Sequence, residues 1–113
     1  MSEIEDIDAA QLDSYVEKGK PVLLLIWRKG CDQCRRFKPV FNQLPQAYPE
    51  ATFLNMSMFN SMENLRLAEK YEKDMTPITL VFCKGILLGT FVGYYSLLDF
   101  RSKLGEVFEK NQC

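Results

Sequence analysis

The chain has 113 residues, 47% hydrophobic and 26% charged, which suits one globular domain with a single core rather than a fibrous or disordered chain. Fourteen Lys and Arg against fifteen Asp and Glu leave a formal charge of −1, so no overall positive field draws the chain to nucleic acid. The sequence has no histidine, which removes the usual proton shuttle near neutral pH, together with Ser-His and Cys-His nucleophiles.

The first residues, Met1-Ser2-Glu3-Ile4-Glu5-Asp6, are acidic and lack the basic-then-apolar layout of a leader. No apolar run approaches the length of a membrane span, so a cytoplasmic, monomeric protein with no membrane partner is expected. Asp8 with Gln11 three residues on has the form of a capping box, and Leu12, Tyr15 and Val16 give the helix that follows one apolar face. Gly19 and Pro21 end it. The run Val22–Trp27 is apolar on both faces and too short for most helices, the pattern of a central strand covered on both sides. Beyond Cys34, the positions Phe37, Val40, Phe41 and Leu44 recur at helical spacing, with a kink expected at Pro39 and an end or second kink at Pro45.

Residues 52–56 predict a second strand, and Asn60 or Ser61 caps a helix carrying Leu65, Ala68 and Tyr71. Pro77 opens a strand over 78–82, and Lys84-Gly85 turns it into a partner over 86–92. Ser96, with Asp99 three further on, caps a last helix with the stripe Leu97, Phe100, Leu104, Val107 and Phe108. The predicted order is (β)αβαβαββα in one domain spanning 1–113, without repeats, linkers or low-complexity segments.

Cys31-Asp32-Gln33-Cys34 falls where the apolar strand gives way to the helical pattern. Two cysteines at this spacing are one helical turn apart and can close a disulfide or separate into a dithiol. The first stands at a helix N-terminus, where unpaired N–H groups and the macrodipole favour a thiolate. A thiolate attacks a disulfide, and the second cysteine can then displace the bound substrate. Zinc is the competing use of such a pair, but a structural zinc needs four ligands, and Cys83 and Cys113 would have to converge from far apart. A static structural disulfide is the other alternative; so tight a loop stabilises little. Cys83, at the end of an apolar strand, reads as a buried inert thiol. Cys113 reads as frayed, with no function assigned.

With these residues in register the chain resembles the thioredoxin family over nearly its whole length. Trp27 stands four residues before Cys31, Pro39 five after Cys34, and Thr76-Pro77 at the family's signature proline; Ala68-Glu69-Lys70-Tyr71 is similar to the helix before it. Gly85 fits the hairpin turn, and Val92-Gly93 the pair that flanks the substrate groove. The resemblance implies an α/β thioredoxin fold, a central mixed sheet flanked by helices, with the Thr76–Pro77 bond in cis. It implies a protein-disulfide reductase in which Cys31 is the nucleophile and Cys34 the resolving thiol. Trp27, Thr76, Pro77, Val92 and Gly93 would form the substrate groove, without metal or organic cofactor. Its implied partners are disulfide-containing proteins and a recycling reductase or dithiol.

Six positions depart from the family pattern. Leu25 stands where thioredoxins bury an aspartate, and Asn55 where a lysine commonly neighbours it. The resolving step is therefore expected to be slow, with Cys34 deprotonating through water or Asp32. Asp32-Gln33 replaces the common Gly-Pro, which modulates the thiolate's surroundings: Asp32 opposes it, whereas Arg28, Lys29, Arg35 and Arg36 support it. Thr76 brings a hydroxyl within reach of Cys31, and Gly30, in place of a second tryptophan, leaves a less aromatic rim. A redox-inactive binding module on the same fold, or an isomerase or oxidase, remains the alternative.

Overall fold

The computed structural model describes residues 4–113; Met1, Ser2 and Glu3 of the acidic N-terminal stretch lie outside the described residues. The elements follow in the order β1 (Ile4–Asp6), α1 (Ala9–Val16), β2 (Val22–Trp27), α2 (Asp32–Asn42), α3 (Leu44–Ala47), β3 (Thr52–Ser57), α4 (Met62–Tyr71), β4 (Ile78–Cys83), β5 (Ile86–Val92) and α5 (Leu97–Lys110). Relative to the predicted order, the short α3 is additional. α2 runs through Pro39 and stops at Asn42, and Pro45 sits in the first turn of α3, where a missing N–H costs nothing.

The strands form one mixed sheet in the order β1-β3-β2-β4-β5. β1, β3 and β2 run parallel, while β4 is antiparallel to both β2 and β5. The central β2 is buried from Val22 to Ile26 at 1% exposure or less, as its unbroken apolar run requires. Its side chains alternate between two cores. Val22, Leu24 and Ile26 join Leu12 of α1 and Ala68 of α4. Leu23 and Leu25 join Phe37 and Phe41 of α2, Leu44 of α3, and Phe100 and Leu104 of α5. In that second core Phe37 packs edge-on against Phe100 at 5.1 Å, and Phe100 against Phe91 at 5.4 Å. Lys84 and Gly85 both take positive φ (55° and 78°) in the β4–β5 turn, the geometry of a two-residue hairpin loop.

Caps set the helix starts. Ser61 Oγ accepts from Asn64 N (3.0 Å) at α4, and Ser96 Oγ from Asp99 N (3.2 Å) at α5. Ahead of α1, the Asp8 backbone N–H donates to Gln11 Oε1 (2.9 Å). The Asp8 carboxylate itself accepts from the Asn60 and Asn64 amides, which hold its pKa below the ordinary value. Asn64 is fully buried, yet its side chain is satisfied on every side. Its Oδ1 accepts from Ala9 N (2.7 Å), while its Nδ2 donates to Ser57 O (2.9 Å) and Asp8 Oδ1 (3.0 Å). One amide thus ties the start of α1, the end of β3 and the first turn of α4. Asn64→Ala orphans the Ala9 N–H and leaves the Ser57 carbonyl with Asn60 N as its one donor (3.2 Å), so urea unfolding is expected to register a loss of about 1–3 kcal/mol; a loss below about 0.5 kcal/mol would remove this tie from the account.

Candidate redox site

Trp27 ends β2, and the chain turns through Gly30 at φ +78°, a conformation L side chains rarely adopt. Cys31 follows as the N-cap of α2, in extended backbone, with its side chain accepting from Cys34 N at 3.1 Å. The two sulfurs are bonded, with Cα atoms 5.2 Å apart. Cys31 is half-exposed, whereas Cys34 retains 2% exposure. A second donor reaches Cys31 from the residue before Pro77, because Thr76 Oγ1 lies 3.2 Å from its sulfur. The Thr76 carbonyl oxygen stands 3.5 Å from the same atom. Two donors and a helix N-terminus converge on one sulfur, an arrangement suited to a thiolate once the bond is opened.

The Thr76–Pro77 peptide bond is cis. Beside it, Gly93 N donates to Pro77 O (2.8 Å), and Val92 pairs with Ile78 across the hairpin. Gly93 has φ +93°, and a side chain there would press within 3.2 Å of Gln33 Oε1. That oxygen accepts from Tyr94 N at 3.0 Å. Gln33 therefore links the dipeptide between the cysteines to the end of β5, and Tyr94, 44% exposed, puts an aromatic ring at this end of the site. Neither Tyr94 nor this link was expected from the sequence: a glutamine amide carries no positional signal, and the rim was read as poor in aromatics.

Trp27 borders the other side of Cys31, half-buried, with Lys38 Nζ 3.5 Å from its ring centroid. Its indole Nε1 is buried with no hydrogen-bond partner among the described residues. Leu25, 1% exposed, lies in the α2-side core with Phe37 and Phe41 and opposite Asn55 in the β2–β3 register. Asn55 Nδ2 donates to Asp6 Oδ1 (2.6 Å). Asp32 is turned to solvent between two guanidinium groups, Arg35 Nη2 and Arg36 Nη2, each at 2.6 Å. The Arg36 bond, then the Arg35 bond, lower its pKa, which makes it a weaker base and mutes its repulsion of a thiolate.

Cys83 and Cys113 require a correction. Neither is free: they form a second disulfide, with Cα atoms 6.3 Å apart, at the end of β4 away from Pro77. Cys113 N donates to Phe108 O (2.8 Å), which folds the chain after α5 back towards β4. The even cysteine count was the available signal. Position in the chain says nothing about the spatial convergence on which the pairing depends.

The thioredoxin family model matches this chain over residues 3–106. Among curated relatives, monothiol glutaredoxin-S17 of Arabidopsis thaliana is 28% identical over 87 residues, which make up 77% of this chain but only 17% of that protein. Thioredoxin 1 of Synechococcus elongatus is 29% identical over 86 residues, 76% of this chain and 78% of that one. Oxidised mitochondrial thioredoxin 3 of Saccharomyces cerevisiae superposes with a TM-score of 0.78 at 17% identity, covering 94% of this chain and 99% of that chain. With the paired sulfurs of Cys31 and Cys34 at the head of α2, these matches make the chain a member of the thioredoxin family, a thiol-disulfide oxidoreductase.

Proposed function

We propose that the protein reduces disulfides in other proteins, with Cys31 as nucleophile and Cys34 as resolving thiol. The carrying observation is the half-exposed Cys31 sulfur facing two donors, Cys34 N and Thr76 Oγ1, while Cys34 lies buried behind it. The Cys31 thiolate attacks one sulfur of the substrate disulfide; that S–S bond breaks, and the other substrate sulfur leaves and takes a proton. The Cys34 thiolate then attacks Cys31 Sγ in the mixed disulfide and expels the second substrate sulfur, which is protonated in turn. The substrate gains two electrons and two protons, and the protein is left with the Cys31–Cys34 disulfide. A reductase or a small dithiol reopens it.

Trp27, Thr76, Pro77, Val92 and Gly93 receive the substrate as an extended strand, with the Thr76 backbone beside the reacting sulfur as its pairing edge. A cytoplasmic, monomeric protein fits this cycle, and none of the described helices is long and apolar enough to cross a membrane. The buried Leu25 favours a slow resolving step, because among the described residues no carboxylate is buried to take the Cys34 proton. An isomerase or oxidase role is distinguished by the redox potential of the pair.

In an insulin reduction assay with dithiothreitol, either Cys31→Ser or Cys34→Ser is expected to abolish catalysis, and Cys34→Ser to trap a covalent mixed disulfide. Wild-type protein that fails to speed precipitation would leave a binding module instead. Leu25→Asp is expected to raise the turnover of a still-folded variant at a stability cost of about 3–5 kcal/mol; a flat turnover rejects the missing-acceptor account. Gln33→Ala, which frees Tyr94 N–H and the space beside Gly93, should lower KM for a protein disulfide by about two- to tenfold, the range of one hydrogen bond. An unchanged KM would show that a substrate strand does not meet that link.

A further inference from the structure

The electrostatics around the reactive sulfur are not those of the chain as a whole. A cleft of about 280 Å³ opens on one side of Cys31, with Trp27 as its apolar wall. Four cationic side chains line it, Arg28 and Lys29 from the loop and Arg35 and Lys38 from α2, against one carboxylate, Asp32. The cleft therefore carries a net +3 in a protein of net charge −1. That carboxylate is already shared between Arg35 and a further cation outside the cleft, Arg36. Arg28 and Lys29 form no hydrogen bond or ion pair among the described residues, and Lys38 is held on the face of Trp27 rather than on an acid.

Local sequence explains the clustering. Gly30 turns the chain so that Arg28 and Lys29 stand beside the start of α2. Arg35 and Lys38, three residues apart, share one face of that helix. A concave cluster of one sign beside an apolar wall concentrates its field at the mouth of the cleft.

We infer that this cleft docks an acidic stretch of polypeptide next to the disulfide being reduced, so that clients carrying Asp or Glu beside the reactive cysteine are preferred. The inference rests on the reductase reading and names its substrate class. Lys38 is held on Trp27 without being neutralised, Arg28 and Lys29 have no acidic partner among the described residues, and an acidic client supplies the missing charge. The apolar wall of Trp27 accepts the aliphatic part of the same segment. The preference is expressed chiefly as a faster encounter, and salt weakens it.

Two peptide sets provide the test. In the first, disulfide-closed peptides differ only in flanking Glu, Gln or Lys. The Glu peptide is expected to show kcat/KM about tenfold or more above the Lys peptide at low ionic strength, with the ratio shrinking in about 0.5 M salt. The doubly charge-reversed protein Arg28→Glu/Lys29→Glu is expected to reverse the order. Because the readout is a ratio, any general change in Cys31 reactivity cancels. In the second set the cysteines are replaced by alanine, and binding is followed through fluorescence of the single tryptophan, Trp27. The Glu peptide should shift it saturably, in a salt-sensitive way that the charge-reversed protein loses. Equal ratios for all flanks, or no fluorescence response to the Glu peptide, overturn the docking inference. Glu-peptide binding without reduction of any peptide upholds docking and overturns the reductase reading instead.

Discussion

Burial of β2 on both faces is the constraint from which the rest of the molecule follows. A strand of six residues whose first five are sealed from water must have sheet neighbours on both edges and helices on both sides. β3 and β4 supply the edges, α1 and α4 one cover, and α2, α3 and α5 the other. The strand can emerge only at its ends. At Trp27 it does so, and the next few residues put Cys31 at the head of a helix already fixed by Phe37 and Phe41. A reactive sulfur is thereby mounted on rigid elements, while the polar backbone around it stays open to a partner.

Most of this architecture was legible because it rests on local rules. The apolar run of β2, the stripe of α5, the serine caps at 61 and 96 and the Lys84-Gly85 turn each carry a periodicity or a residue preference that survives without tertiary context. The optional first strand proved to be β1, a three-residue strand paired with β3 at the sheet edge. The short α3 was hidden because four residues contain too little of the helical period to separate from the end of α2. Asn64, the most connected polar group of the interior, was invisible for a different reason: an asparagine has no signature that tells a buried hub from a surface amide.

The site was legible to the same degree and for the same cause. Spacing gave the cysteines and their place at a helix start, and the threonine before Pro77 announced a hydroxyl beside the sulfur. What escaped depended on side chains meeting across the fold. Gln33 reaches Tyr94, Lys38 caps Trp27, and Asp32 is clasped by Arg35 and Arg36. The last of these bears on the expectation that Cys34 deprotonates through water or Asp32, since a carboxylate bonded to two guanidinium groups is the weaker base for it.

The Cys83–Cys113 bond has a further consequence, for mechanical integrity. It closes a ring across a sequence separation of 30 residues, enclosing both β5 and α5. On the chain-entropy account a hoop of that size restricts the unfolded ensemble by about 3–4 kcal/mol. The hoop is anchored at the end of β4 remote from Pro77, so the cross-link that ties the last helix to the sheet stands apart from the pair that reacts.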